Sequence, residues 1–230
     1  MIRIRKSNER GNTQIDWLNS FHTFSFAEYY DPDFMGFSTL RVINEDFIQP
    51  ASGFGKHPHK NMEIITYIVQ GSLEHQDSMG NGSIIKPGEI QRMSAGTRVE
   101  HSEFNHSKTE LLHLLQIWIL PEESGLQPGY EQKTIKKSDN QLILIGSRSG
   151  GDGAVTIHQD VNLYVAYLKQ HHSIHYDLKH ERQIWLQLIK GEIDLNTHQL
   201  SAGDGVAVTN ENKIEIKSLK DAEFLMFDLG

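Results

Sequence analysis

The chain alternates between short runs of β-branched, aromatic and aliphatic residues and short polar breaks rich in glycine. Thr39–Ile43 (TLRVI), Glu63–Val69, Leu111–Leu120, Gln141–Ile145, Asn162–Leu168, Ile184–Ile189 and Glu223–Asp228 are such runs. Their length and composition, bounded by turn residues, predict strands. No long stretch holds a 3.6-residue apolar period, so no amphipathic helix is expected. Trp17–Phe26 (WLNSFHTFSF) fits neither period. Many short strands with Gly-rich turns predict an all-β sandwich or barrel.

One pattern recurs. Glu63–Gly71 reads EIITYIVQG, and Gln183–Gly191, 120 residues later, reads QIWLQLIKG. Each precedes a short strand candidate, Ser72–His75 or Glu192–Leu195, and then a turn, Lys86–Glu89 (KPGE) or Ser201–Asp204 (SAGD), at an offset of 115. The smaller offset fits a shorter hairpin loop in the second copy. Pro121–Gln141, with two prolines, two glycines and mixed charge, reads as a linker. Two β units follow, 1–132 and 133–230.

Charge and composition narrow the function. With 22 Lys+Arg against 30 Asp+Glu, the net charge is −8, which argues against a nucleic-acid or anionic-membrane surface. The longest apolar run, Leu111–Leu120, falls short of the ~18 residues a membrane helix needs. The opening MIRIRKSNERGN has no apolar signal core, so a cytoplasmic location is expected. There are no cysteines, which excludes disulfides, thiolate nucleophiles and cysteine-ligated metals. Histidine is abundant, at 13 residues. Any metal site must therefore use His, Asp and Glu.

Two pairs of residues have a ligand spacing. His57 and His59 flank Pro58, and His101 and Glu103 flank Ser102. In an extended chain, residues i and i+2 share a face. Two strands meeting in one barrel would converge three imidazoles and a carboxylate. That donor set suits a divalent first-row metal with positions left open, the arrangement of a catalytic site. At the repeat offsets, His57 and His59 correspond to Asp177 and Lys179, and His101 and Glu103 to Ile216 and Ser218. The second copy keeps the frame and lacks the ligands.

The segment Gly53-Phe-Gly-Lys-His57-Pro-His59-Lys-Asn-Met-Glu63 followed by Ile64–Gly71 resembles the first cupin motif. Pro87-Gly88, Ser94-Ala-Gly96 and His101-Ser-Glu103-Phe-Asn105 resemble the second. With His22-Thr-Phe-Ser-Phe-Ala and Asp31-Pro-Asp-Phe-Met-Gly-Phe, the chain is similar to the pirin family of bicupins, in particular its bacterial quercetin 2,3-dioxygenase-like members. The resemblance implies two cupin domains face to face. It implies one divalent metal, iron first, with nickel, copper, manganese, cobalt or zinc as alternatives, on His57, His59, His101 and Glu103. Glu63, the first-motif glutamate of ordinary cupins, is expected beside the ligands, orienting an imidazole.

The resemblance also implies an activity: dioxygenolytic opening of a flavonol such as quercetin by O2, with loss of carbon monoxide. Glu103 is then the candidate general base for the substrate hydroxyl. Phe54, Met62, Met93 and Ile117 are candidates for the apolar wall. The competing reading is a regulatory metal-binding protein acting through a protein partner, and a minor one is a metal-dependent isomerase or hydrolase. His113 is expected in the core, and His75 and His106 at the surface or behind the ligands. His171, His172, His175 and His180 are expected in solvent, and Phe21, Phe24 and Phe26 in the core.

Overall fold

A computed structural model describes residues 1–230. Apart from one 3-10 turn at Ser7–Glu9, its regular structure is β-strand, in four sheets. In the N-terminal half a seven-stranded antiparallel sheet runs Gly129–Thr134, Glu89–Ser94, Glu63–Gln70, Leu112–Ile119, Leu40–Ile48, Leu18–His22, Gly11–Ile15. Its companion has four strands, in the order Gly53–His59, Val99–Asn105, Leu73–Asp77, Gly82–Ile85. The C-terminal half repeats this seven-plus-four arrangement. The all-β bicupin expectation holds.

The ambiguous Trp17–Phe26 segment contains the strand Leu18–His22. The stretch expected as a linker contains the strand Gly129–Thr134, which pairs with Glu89–Ser94 along its whole length. Its polar composition suits a sheet edge, where half of the backbone groups meet solvent. The chain also begins on the far side. Ile2–Arg5 pairs with Gly205–Val208 at the edge of the C-terminal seven-stranded sheet.

The central strands are buried on both faces, which is why they read as continuous apolar runs. Along Glu63–Gln70, Ile65, Tyr67 and Val69 point to one side and Ile64 and Ile68 to the other. The first set joins Leu115, Ile117 and Ile119 in a 23-residue cluster. From the C-terminal half the same cluster takes Val161, Leu163, Val165, Trp185, Leu225 and Phe227. It spans the two halves and holds the seven-stranded sheets face to face. Trp185 seals it, with Phe24 at 4.8 Å and Phe37 at 5.6 Å between ring centroids.

The two barrels differ inside. The C-terminal one is filled by 17 buried apolar residues, among them Ile184, Leu186, Ile214, Ile216 and Phe224. The N-terminal one holds two small apolar clusters, of seven and four residues. Polar residues and a cavity occupy the rest of its interior. The backbone of the repeat is closely kept: Glu63–Gln70 and Gln183–Lys190 are both eight residues long. They end on Gly71 at φ +84° and Gly191 at φ +83°. A Cβ at Gly191 would sit 2.1 Å from the Asp221 carbonyl oxygen, so only glycine fits that turn.

Candidate metal centre

His57 and His59 lie on Gly53–His59, the edge strand of the four-stranded sheet. An edge position lets Pro58 sit between them without losing a ladder hydrogen bond. Lys56 and Pro58 face out, and His57 and His59 face in. The neighbouring strand Val99–Asn105 alternates the same way and buries His101 and Glu103. His101 is directly opposite His57, and the register slips between His101 and Glu103, which lies opposite Phe54. Gly53 permits this close approach, since a Cβ there would lie 2.2 Å from the Glu103 carbonyl oxygen.

The three imidazoles form a triangle, with ring centroids 4.8 Å (His57–His59), 4.5 Å (His57–His101) and 4.8 Å (His59–His101) apart. Each offers a nitrogen within 4.8 Å of the others. His57 Nδ1 lies 2.7 Å from the Gly55 carbonyl oxygen, to which it donates, leaving Nε2 bare. Both ring nitrogens of His101 are buried with no partner, as is Glu103 Oε1. Glu103 Oε2 accepts from Gln116 Nε2 at 2.8 Å. Glu103 shares a 4.8 Å span with His101 and His75, rather than with all three imidazoles of the triangle.

Burial lowers His59 to about 4, with His57 adding to the effect. Burial, then His57, His59 and His75, lowers His101 to about 2. Both rings are therefore neutral at pH 7, the form that binds metals. Burial raises Glu103 to about 7, against the hydrogen bond from Gln116, with the Asp46 charge raising it further. Buried nitrogens and a carboxylate oxygen with no partner are costly unless something satisfies them. A divalent cation would satisfy Glu103 Oε1 and one nitrogen of His101, and its charge would hold Glu103 ionised.

His57, His59 and Glu103 line a cavity of about 130 Å³. One wall is apolar: Leu18, Phe26, Ala27, Phe54 and Trp118. The other is polar: Thr13, Ser20, His22, Asn44, Asp46 and Gln116. His22 bridges Asn44 Oδ1 at 2.8 Å and Thr13 Oγ1 at 2.9 Å, and Ser20 Oγ donates to Asp46. Of the expected apolar wall only Phe54 is present. Met93 and Met62 pack in the small cluster with Ile64, Ala95 and Val99, and Ile117 faces the other half of the molecule. Strand alternation decides this: Gln116 and Trp118 face the cavity, so Ile117 cannot. Thr13, Ser20, Asn44, Asp46 and Gln116 were missed, because isolated polar residues within strand-like runs carry no spacing signal.

Other expectations divide. Glu63 is buried but turns away from the ligands: its Oε2 lies 3.1 Å from His158 Nδ1, across the contact between halves. The reason is its place at the start of its strand, opposite Ser94 and next to the Thr156–His158 segment. His113 is largely buried, stacks on Phe47 at 4.1 Å and lies 2.9 Å from Glu45 Oε1. His75 is fully buried beside His101, and His106 is exposed. His171, His172, His175 and His180 are exposed. Phe24 is core, Phe26 lines the cavity and Phe21 lies under Arg10. The repeat counterparts Asp177 and Lys179 are exposed, while Ile216 and Ser218 are buried in the C-terminal barrel.

Two cupin barrels face to face, with an imidazole cluster in only one of them, define a bicupin with a single metal-binding half. The Pirin family model matches residues 3–119, and the model for the quercetinase C-terminal cupin domain matches 144–229. A quercetin 2,3-dioxygenase from Escherichia coli K12 is 51% identical over 230 residues, covering 100% of this chain and 99% of that protein. A putative quercetin 2,3-dioxygenase from Pasteurella multocida is 46% identical over 233 residues, with 100% of both covered. The bacterial pirin YhhW from E. coli, solved in complex with nickel(II), superposes with a TM-score of 0.96 at 49% identity, covering 100% of this chain and 99% of that one. The chain belongs to the pirin family. No helix is long and apolar enough to cross a membrane.

Proposed function

We propose that this chain is a metal-dependent dioxygenase that opens a flavonol such as quercetin with O2 and releases carbon monoxide. One divalent ion, iron first, would be held by His57, His59, His101 and Glu103. The observation that carries this reading is the set of buried, partnerless donor atoms of His101 and Glu103 beside the His57–His59–His101 triangle. The metal-binding unit would be 1–132 and the metal-free one 133–230. Gly129–Thr134 is the edge strand of the first large sheet and Leu142–Ser147 enters the second, so the change of unit falls just beyond that boundary, between Thr134 and Leu142.

When bound, the ion supplies a Lewis acid that lowers the pKa of a coordinated hydroxyl. Glu103 offers Oε1 as a ligand and, on substrate binding, as acceptor of the substrate hydroxyl's proton. Gln116 fixes the carboxyl through Oε2 meanwhile. A cavity of about 130 Å³ matches one aromatic ring, since a cavity of about 150 Å³ holds benzene. The ring bearing the anchoring hydroxyl would be buried against Phe26, Phe54 and Trp118. The rest of the flavonol would lie across the mouth, with further hydroxyls toward Ser20, Asn44 and Asp46.

The test is oxygen uptake with quercetin by metal-free protein reconstituted separately with iron, nickel, copper, manganese, cobalt and zinc. Metal-dependent uptake with carbon monoxide release, absent in His101→Ala, is expected. Stoichiometric metal binding with no uptake for any metal would overturn the dioxygenase reading and favour a regulatory protein acting through a partner.

A further inference from the structure

Behind His101, on the side away from His57, lies a second imidazole that the reaction above does not use. His75 is fully buried, and its ring centroid is 5.4 Å from that of His101. It comes from Leu73–Asp77, the strand that pairs with Val99–Asn105 on the side opposite the His57 strand. His75 Nε2 lies 3.2 Å from Asp77 Oδ2. Asp77 is itself pinned. Its Oδ1 accepts from the backbone N–H groups of Met79 at 2.9 Å and Asn81 at 3.0 Å, and its Oδ2 from Asn81 Nδ2 at 2.9 Å. A carboxylate can only accept, so His75 Nε2 carries the hydrogen and Nδ1 is a bare lone pair. That Nδ1 is buried with no partner. Tyr130 stacks on the ring at 5.0 Å and 28°, which limits its rotation.

Both ring nitrogens of His101 are buried without partners. If one faces the ion, the other carries a hydrogen that needs an acceptor. His75, His101 and Glu103 each bring a ligand-type atom within 4.8 Å of the others. The buried acceptor atoms that these two neighbours of His101 leave without partners are Glu103 Oε1 and His75 Nδ1. Glu103 Oε1 is taken by the ion, because Oε2 is already held by Gln116. His75 Nδ1 remains.

We propose that His75, oriented by Asp77, is a positioning residue for the metal ligand His101: its Nδ1 accepts from the His101 ring N–H directed away from the ion, directly or across one water. This rests on the metal reading above. It makes a chain Asp77–His75–His101 in which each group fixes the tautomer of the next. The effect is a ring held at one angle and a more basic ligand nitrogen.

The experiment is zinc(II) affinity by chelator competition, with ring ¹H–¹⁵N correlations of the zinc-loaded protein. His75→Leu removes the acceptor at similar volume, whereas His75→Asn returns an oxygen near the Nδ1 position. We expect His75→Leu to weaken zinc binding about 10- to 100-fold and to lose the protected His101 ring N–H. His75→Asn should recover much of both. Asp77→Asn is the second variant. Its oxygen stays with the two backbone N–H groups, so its NH₂ meets His75 Nε2 and inverts the His75 tautomer, while the Asn81 amide turns over to accept from it. That change should also weaken zinc binding, and it should do so without emptying the site of packing atoms. Wild-type affinity and an unchanged His101 ring N–H in both His75→Leu and Asp77→Asn would overturn the proposal. Equal losses in His75→Leu and His75→Asn, with Asp77→Asn like wild type, would reduce His75 to packing and overturn it too. Absence of zinc binding in the wild type would instead overturn the metal reading on which it rests.

Discussion

His101 stands directly opposite His57 across two antiparallel strands, with the ring centroids 4.5 Å apart. That one cross-strand pairing brings together residues 44 positions apart in the chain. His59, two residues along the same face, completes the triangle. The site thus depends on strand register, and a one-residue slip of either strand would turn that strand's imidazoles outward.

Removing either partner should empty the site and spare the fold. His57→Ala and His101→Ala are expected to lose metal, while the β-rich circular dichroism spectrum is retained. Ile216→Ala, at the repeat counterpart of His101, should cost about 2–5 kcal/mol of stability and leave metal content unchanged. Equal metal content in wild type and His101→Ala would refute the ligand assignment.

Glu103→Gln should separate binding from turnover. The amide keeps its one oxygen for the ion once Gln116 turns its own oxygen toward the new NH₂, so metal content should fall only in part. It cannot take up the substrate proton, so oxygen uptake with quercetin should fall by about 100-fold or more. Full activity in this variant would remove the base role.

The metal-free protein should show a pH signature of Glu103. Burial raises its carboxyl from 4.5 to about 7. The folded state therefore holds the proton more tightly than the unfolded one. The resulting stability is fully present below about pH 4.5 and is lost as pH rises through about 7. Glu103→Gln should gain on wild type by up to the order of 3 kcal/mol above that range, in urea melts at about pH 5 and pH 8. His59 and His101 act in the opposite sense, since their lowered values cost stability as pH falls below about 6.5. Comparing the variant with wild type at each pH isolates the glutamate.

Trp118→Ala removes the apolar wall that stands 5.0 Å from His59, edge to face. The KM for quercetin should rise about tenfold or more, since even one methylene's contact in a hydrophobic pocket is worth about 10- to 200-fold. Metal content should stay near wild type, because Trp118 contributes no ligand atom. Loss of metal in this variant would mean that the wall holds His59 in place.

Much of this molecule was legible in the sequence. The strands announced themselves as apolar runs, and the repeated EIITYIVQG and QIWLQLIKG segments became equivalent central strands ending on left-handed glycines. Local signals sufficed because β-propensity, glycine turns and i, i+2 spacing all act within a few residues. The same spacing put His57 with His59 and His101 with Glu103 on inward faces.

Only the tertiary structure decided what surrounds those residues. It turned Glu63 toward His158, took Ile117 into the contact between halves, and sent Ile2–Arg5 to the far sheet. It also gathered Ser20, Asn44, Asp46 and Gln116 into one wall and set His75 behind His101. The physical reason is that a strand residue's environment is set by which strand pairs beside it and which sheet covers it. Those partners lie tens to hundreds of residues away, and no local pattern encodes them.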